Sequence, residues 1–232
     1  MIPRRHEDGG FTLIELSLIV LIVAALLAVL LPKLINGKRS SRLSTCQNNL
    51  KQVDLAHHLW IMDHEVNRFP GDISTNAGGK LECLQRGDLF DYFKLFTNNL
   101  SSPAVLVCPS ERRKAASSFS VLSNSNLSYF ANGDIGPLSR TGPPDRPIDA
   151  PLNPVVLGDR NISNNVAGPT RILSVSKTNP ARWKPEMHNY SRKNSVALTG
   201  NIAFVDGSAK CLTDAELYEA FRYDPSAAIV LP

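Results

Sequence analysis

Residues 11–31 read FTLIELSLIVLIVAALLAVLL, and this apolar stretch decides the architecture of the chain. As an α-helix it would span roughly 31 Å, close to the thickness of the hydrocarbon core of a bilayer. It carries one charge, Glu15. The polar segment before it, MIPRRHEDGG, contains Arg4 and Arg5, and no comparable apolar segment follows later. The pattern predicts one membrane-spanning helix whose N-terminus lies in the cytoplasm.

Two simpler explanations fit this stretch less well. A secretory signal peptide has a shorter apolar region followed by a small-residue cleavage site, and Leu31-Pro32-Lys33 offers no such site. A plain signal anchor leaves Glu15 unexplained, because an unpaired carboxylate inside a bilayer costs free energy. Cleavage between Gly10 and Phe11 would create an α-amino group at a similar depth. That cation could neutralise Glu15 within one chain or between neighbouring chains.

The run Gly10-Phe11-Thr12-Leu13-Ile14-Glu15 resembles the cleavage and methylation motif of type IV prepilins and type II secretion pseudopilins. The resemblance implies that a prepilin peptidase cuts after Gly10 and that the new amine of Phe11 is N-methylated. Glu15 becomes the fifth residue of the mature chain and is expected to act in subunit assembly. Pro32 becomes the twenty-second, where the family often has a proline that bends the helix.

Further motifs are similar to a subfamily of prepilin-like proteins abundant in planctomycete- and verrucomicrobium-type bacteria. That subfamily is named for a His nine residues before an Asp-Gly pair, whereas here the nearest upstream histidine, His188, lies farther from Asp206. The shared motifs are the seven residues CQNNLKQ at 46–52, Arg68-Phe69-Pro70, Cys108-Pro109-Ser110, Ser128-Tyr129 with Asn132, Gly158-Asp159-Arg160 and Phe204-Val205-Asp206-Gly207.

An apolar stripe continues beyond Pro32 at three- and four-residue steps, which predicts one long helix to about Asp63. The expected fold is α+β and pilin-like: a long helix packed on a small antiparallel sheet, with long loops and a short C-terminal helix. We expect a leader at 1–10, a membrane helix at 11–31, its head-side half at 32–63 and a loop-rich head at 64–232. Within the head, strands are predicted at residues 104–108, 155–158, 171–175, 196–199, 202–205 and 208–212.

Two turns and one helix start are predicted near the C-terminus. Gly200-Asn201 has hairpin turn chemistry, and Asp206-Gly207 supplies a second turn. Thr213 and Glu216 have the spacing of a capping box that opens a final helix to about Arg222. In addition, residues 89–96 form a short apolar stretch that suggests one helix.

The four cysteines contain no C-x-x-C pair, which disfavours a zinc site or a thioredoxin-like motif. In an exported chain they allow two disulfides with three connectivities. We prefer a bond between Cys46 and Cys108, which would clamp a segment of the head onto the long helix. Cys83 and Cys211 are then left as a candidate second pair. Four buried free thiols are the alternative.

The sequence predicts no catalytic residue, cofactor or metal. It lacks H-E-x-x-H, G-x-S-x-G, a Gly-rich phosphate loop and a ligand-spaced acidic run for calcium, and His57 and His58 are interpreted as solvated or core-edge helix residues. A net charge of +4 without a basic block does not favour nucleic acid.

The predicted function is therefore a structural subunit, a pseudopilin or minor pilin, of a type II secretion or type IV pilus-like filament. Its expected partners are the prepilin peptidase, other pilin or pseudopilin subunits and the bacterial inner membrane, with the head in the periplasm or on the cell surface. The alternative is a membrane-tethered periplasmic binding module that uses the prepilin pathway for export only.

Overall fold

The computed structural model describes residues 12–133, 155–164, 171–176, 178–185, 188–192, 195–221 and 227–232. For residues 31–39, 188–192, 195–197 and 227 it describes the backbone alone. The chain divides into two compact units, Met1–Ser41 and Arg42–Pro232. The second unit, here called the head, contains the described strands and the shorter helices.

The first helix, α1, runs from Leu13 to Asp63. Its first part includes an apolar window, Leu13–Leu30, with a mean hydropathy of 3.0 and no buried residue, so it is long and apolar enough to cross a membrane. The helix continues through Pro32. The side chain of Pro32 lies outside the described residues, and the kink there stays a prediction.

The part of α1 within the head packs one face into the core. Cys46, Leu50, Val53 and Ala56 are fully buried, and Trp60 is nearly so. These residues recur at steps of three and four, so they share one side of the helix. The predicted apolar stripe and the predicted end at Asp63 are both confirmed.

An antiparallel sheet of seven strands forms the centre of the head. The neighbours run in the order β4-β9-β1-β2-β7-β6. Strand β8 pairs with β7 on the side opposite both β2 and β6, because Thr199 pairs with His188 and Thr213 while Ile202 pairs with Gly158 and Lys210. The strands are β1 (Tyr129–Asn132), β2 (Val155–Asp159), β4 (Ile172–Val175), β6 (His188–Arg192), β7 (Ser195–Phe204), β8 (Ala209–Thr213) and β9 (Ala227–Val230), and a separate pair is β3 (Ile162–Ser163) with β5 (Arg182–Trp183).

The sheet lies between two apolar clusters. Tyr129 and Ala131 belong to the cluster that contains the buried face of α1, whereas Phe130 between them belongs to the other cluster. This alternation is the two-residue period of a strand that is covered on both faces. The second cluster also contains Trp183 of β5 and Leu217 of the last helix, α4 (Asp214–Phe221).

Short helices complete the head. Two α-helices, α2 (Leu81–Arg86) and α3 (Leu89–Phe93), precede the sheet, and α3 continues as a 3-10 turn over Lys94–Phe96. Five more 3-10 turns lie at Pro70–Asp72, Thr75–Ala77, Pro103–Leu106, Phe119–Val121 and Asn124–Asn126. An apolar N-terminal helix, an antiparallel sheet with loops and a short C-terminal helix make the predicted α+β, pilin-like arrangement, which is confirmed.

Two predicted elements are wrong. Residues 104–108 are not a strand, because a 3-10 turn forms over Pro103–Leu106, where the Ser102 hydroxyl accepts a bond from the Ala104 amide and Pro103 takes the first helical position. Gly200 and Asn201 do not form a turn and lie within the ten-residue strand β7. A Cβ on Gly200 would overlap the ring of Trp183, so this glycine makes room for a side chain.

The later turn and the final helix are confirmed. Gly207 has a φ of +79°, and the amide of Ser208 donates to the Asp206 carboxylate at 2.9 Å. In the capping box, the amide of Thr213 donates to Glu216 Oε2 at 2.8 Å, and its hydroxyl does so at 2.9 Å.

Candidate functional site

The first candidate site is the start of α1, where Thr12 and Glu15 form a capping box. Glu15 Oε2 accepts hydrogen bonds from the Thr12 amide at 2.9 Å and the Thr12 hydroxyl at 2.8 Å. The Glu15 amide donates to Thr12 Oγ1 at 3.3 Å. This reciprocal pattern pairs donors that a helix start otherwise leaves unpaired. The sequence interpretation missed this role, although Thr followed three residues later by Glu is its usual signal.

The capping box holds a carboxylate on a helix surface that is otherwise apolar. Leu13 is 87% exposed and Ile14 is 79% exposed, so the surroundings of Glu15 offer no buried pocket within the described chain. Both bonds from Thr12 use the same oxygen, Oε2. Gly10 and Phe11 lie outside the described residues, and cleavage, methylation and pairing of Glu15 with the Phe11 amine stay predictions.

A disulfide joins Cys46 on α1 to Cys108, with their Cα atoms 5.2 Å apart and a separation of 62 positions in sequence. Both cysteines are fully buried. One helical turn away, the Asn49 amide side chain donates to the carbonyl oxygen of Val107 at 3.2 Å. The helix is therefore fastened to the segment around residue 108 by one covalent bond and one hydrogen bond.

The second pairing, Cys83 with Cys211, is a correction: both residues are free thiols. Cys83 lies on α2, where its Sγ is 3.1 Å from Asp91 Oδ2 and burial raises its pKa. Cys211 lies in β8 and is paired in register with Asn201 of β7. The two thiols therefore belong to separate elements, and each has contacts of its own.

Several motif residues meet in the interior of the sheet. Tyr129 of β1 is paired in register with Asp159 of β2. Asp159 Oδ2 accepts bonds from the Asn201 backbone amide at 2.7 Å and from its side-chain amide at 2.9 Å. Burial raises the pKa of Asp159 to about 7, and the two bonds from Asn201 oppose this shift. Asn201 therefore donates both hydrogen bonds to the buried carboxyl group of Asp159.

A second ionic contact borders this centre. Arg160, next to Asp159, pairs with Glu111, and Arg113 lies 3.1 Å from the same carboxylate. One nitrogen of Arg113 also donates to the carbonyl oxygens of Asn124 and Leu127, each at 2.6 Å. The Arg160–Glu111 pair fastens the loop that follows Cys108 to the end of β2, and the Arg113 bonds fasten the same loop to the segment before β1.

The two adjacent histidines of α1 have different environments. His57 is fully buried, not solvated or at the core edge as predicted. Its Nδ1 lies 2.7 Å from the Val53 carbonyl oxygen and its Nε2 lies 2.7 Å from the Tyr92 hydroxyl. Burial lowers the pKa of His57 to about 4. A neutral ring that donates from Nδ1 and accepts from Tyr92 satisfies both contacts.

His58 is half-buried and faces the turn between β7 and β8. Its Nε2 lies 3.0 Å from the Val205 carbonyl oxygen and 3.5 Å from Asp54 Oδ2. The hydrogen bond with Asp54 raises the pKa of His58. Across the described parts of the chain, no group of three or more His, Cys, Asp or Glu residues could hold a metal ion.

Comparison with known proteins gives one coarse relationship. The chain is similar to the competence protein ComGC of Halalkalibacterium halodurans, with 28% identity over 70 residues that cover 30% of this chain and 67% of that protein. No protein-family model and no solved structure gives a significant match. With the fold, the similarity supports a general relationship to pilin-like proteins. The narrower resemblance to the planctomycete-type subfamily stays a prediction.

Proposed function

We propose that this protein is a structural subunit, a pseudopilin or minor pilin, of a type II secretion or type IV pilus-like filament. The observation that carries the proposal is the Glu15 carboxylate, which is held by Thr12 in the first turn of an exposed apolar helix. The capping bonds use the carboxylate but do not need its negative charge, whereas helices that assemble side by side in an apolar medium can use that charge.

The exposed surface of the helix supports the same proposal. The large apolar side chains between Leu13 and Leu30 are between 46% and 87% exposed. Such a surface needs a cover, which is the lipid of the bacterial inner membrane before assembly and other pilin or pseudopilin subunits afterwards. The head then lies in the periplasm or on the cell surface.

Processing is the second part of the proposal. A prepilin peptidase cuts between Gly10 and Phe11, and the new amine is methylated. In sequence, this amine stands one residue before Thr12 and four residues before Glu15. In a filament, the carboxylate of one subunit pairs with the amine of a neighbour, which neutralises two charges in an apolar medium.

The test of processing is the intact mass of protein extracted from the membrane. We expect a chain that begins at Phe11 and carries one added methyl group. A mature chain that keeps residues 1–10, or one cut near residue 32, contradicts the proposal.

The test of assembly uses three variants at matched membrane levels. Glu15→Gln removes the charge but keeps a side chain that can complete a capping box, and Glu15→Val removes both. Thr12→Ala disrupts the box but keeps the carboxylate, so it is the matched control for local helix structure. We expect crosslinking to neighbouring subunits and the yield of sheared filaments to fall sharply in both Glu15 variants and to persist in Thr12→Ala.

Two other outcomes would identify other roles. If Glu15→Gln assembles normally while Thr12→Ala and Glu15→Val do not, Glu15 serves the helix start alone. If all three variants are incorporated like the wild type, the membrane-tethered binding module becomes the better description.

A further inference from the structure

One side chain of α1 contacts the turn between β7 and β8. Residues 205–208 connect these two strands and are here called the hairpin turn. His58 Nε2 lies 3.0 Å from the Val205 carbonyl oxygen and 3.5 Å from Asp54 Oδ2. The same ring nitrogen therefore contacts the hairpin turn and a carboxylate of its own helix.

The hairpin turn lies over a carboxylate that water does not reach. Asp54 is 1% exposed, and both of its carboxylate oxygens are buried. A Cβ placed on Gly207 would lie 3.8 Å from Asp54 Oδ2, so the backbone of the turn lies against this oxygen. Among the salt bridges of the described residues, Asp54 pairs with His58. A buried carboxylate depends on such a cation, because its charge has lost the stabilisation that water provides.

Protonation of His58 changes the charge at this contact but keeps its donor. Because Nε2 faces two acceptors, it carries the hydrogen of the neutral ring, and the second proton binds at Nδ1. The resulting cation strengthens the contacts with both the Val205 oxygen and the Asp54 carboxylate. In agreement, the hydrogen bond with Asp54 raises the pKa of His58, although partial burial opposes this shift.

The other groups around His58 contribute little charge. On α1, the pKa of His57 is about 4, so its ring is uncharged at neutral pH. The ring of Phe69, from the segment after α1, lies 5.9 Å from that of His58, edge to face. In the hairpin turn, the Asp206 carboxylate accepts a bond from the backbone amide two positions later at 2.9 Å. Within the described chain, His58 therefore acts mainly on the charge of Asp54.

We propose that His58 is a pH-sensitive latch, which holds the hairpin turn over Asp54 when protonated and releases it when neutral. Opening transfers one proton from His58 to water, and the turn then admits water to a carboxylate that has lost its cation. The closed turn is fully favoured below the ordinary histidine pKa of 6.5 and loses this contribution as pH rises through the higher pKa of the latched ring. This latch is a property of the head and goes beyond the proposed assembly.

Hydrogen–deuterium exchange of the full chain in detergent micelles tests the latch. Exchange in the hairpin turn is divided by the intrinsic rate at each pH, from about pH 6 to about pH 9. His58→Gln keeps a donor for Val205 without a charge, and Asp54→Asn removes the carboxylate that depends on a cation. His64→Gln is the matched control, because it removes an exposed histidine whose ring contacts Trp60 instead.

We expect protection of the hairpin turn to fall several-fold over this pH range in the wild type and in His64→Gln. It should be low throughout in His58→Gln and change much less with pH in Asp54→Asn. The pKa of Asp159 is about 7, but both test variants keep this residue, so their difference from the wild type isolates the latch.

Three results overturn the proposal. The first is protection in the wild type that does not depend on pH, and the second is a wild-type pH profile in His58→Gln. The third is an equal loss of protection in α4, because the whole head would then be opening. An NMR titration of the histidine rings decides the matter even if a variant does not fold. In the wild type, the pKa of His58 should lie above 6.5, and a value at or below 6.5 contradicts the latch.

Discussion

Glu65 adopts a left-handed backbone conformation, with a φ of 52°, just after the end of α1. The Val66 amide donates to the Ile61 carbonyl oxygen at 3.2 Å, and the Glu65 amide donates to that of Met62 at 3.3 Å. These two bonds define a Schellman motif, in which glycine usually takes the position of Glu65. A side chain with a Cβ is strained there, because left-handed backbone costs about 1–2 kcal/mol for such residues.

We therefore expect Glu65→Gly to raise the free energy of unfolding by about 1 kcal/mol, as strain relief exceeds the added entropy of the unfolded chain. Denaturant titration of the detergent-solubilised protein measures this change. The matched control is Asp63→Gly, two residues earlier in right-handed helix, which should lower stability by about 0.3 kcal/mol, because glycine is a slightly weaker helix former than Asp. A stability loss in both variants would contradict this explanation.

The roles that could be predicted from the sequence belong to residues whose hydrogen-bond partners lie close by in the chain. Asp206 and Gly207 form their turn, and Thr213 and Glu216 their capping box, through partners within three positions. Gly200 and Asn201 have the same composition as a turn, but their partners are Trp183 and Asp159. Partners that lie far away in sequence leave no local pattern, so the hairpin prediction was wrong.

At the level of elements, the disulfide between Cys46 and Cys108 adds a covalent link to the apolar face that α1 buries in the core of the head. Closing a loop between residues that are 62 apart restricts the unfolded chain, which is worth about 4 kcal/mol in the chain-entropy model. We expect Cys46→Ala with Cys108→Ala to lower the free energy of unfolding by about that amount. Cys211→Ser, at a free thiol, is the control and should have a small effect.

Thiol counting checks the same bond independently. The denatured, non-reduced protein should react with alkylating reagent at Cys83 and Cys211 only. Reaction at all four cysteines would show that the bond does not form, whereas no reaction would point to a second bond.

Helices followed from the sequence more readily than strands did. The apolar stripe of α1 and the capping residues of α4 are both periodic or terminal signals within one segment. Residues 104–108 look like a strand by composition, yet Pro103 and the Ser102 hydroxyl favour a 3-10 turn. The order β4-β9-β1-β2-β7-β6 could not be inferred, because sheet order depends on pairings between distant segments.

For the whole molecule, two buried groups give stability opposite dependences on pH. Burial raises the pKa of Asp159 from 3.8 to about 7, so the folded state binds this proton more tightly than the unfolded state does. The contribution of Asp159 to stability therefore falls as pH rises from about 4 to about 7. Burial lowers the pKa of His57 from 6.5 to about 4, so its contribution rises between about pH 4 and 6.5.

The two contributions oppose each other in the wild type, which should show a shallow pH dependence between pH 4.5 and 6.5. Asp159→Asn should make the free energy of unfolding rise more steeply with pH, and His57→Gln should make it fall, each by up to about 1.4 kcal/mol per pH unit. Unfolding titrations at pH 4.5, 5.5 and 6.5 measure these slopes, independently of the loss of stability that either substitution causes. Unchanged slopes would contradict the assigned ionisation.

The N-terminal sequence was enough to predict a pilin-like fold. The polar interior of the head could not be predicted from the sequence. Apolar length and the position of Glu15 are visible in one segment. By contrast, Asp159, Asn201 and Glu111 come together from β2, β7 and the loop after Cys108. A buried polar centre of this kind needs the tertiary structure before it can be recognised.

The position of the disulfide also has a mechanical consequence. Cys46 lies four residues beyond Arg42, where the head begins, so tension along α1 reaches the bond before it reaches Leu50, Val53 or Trp60. The load then passes through Cys108 into the loop that Arg160 and Glu111 fasten to β2. If a subunit is pulled out of the bilayer by its neighbours, the covalent bond bears the force. The apolar contacts between α1 and the sheet are then not separated one after another.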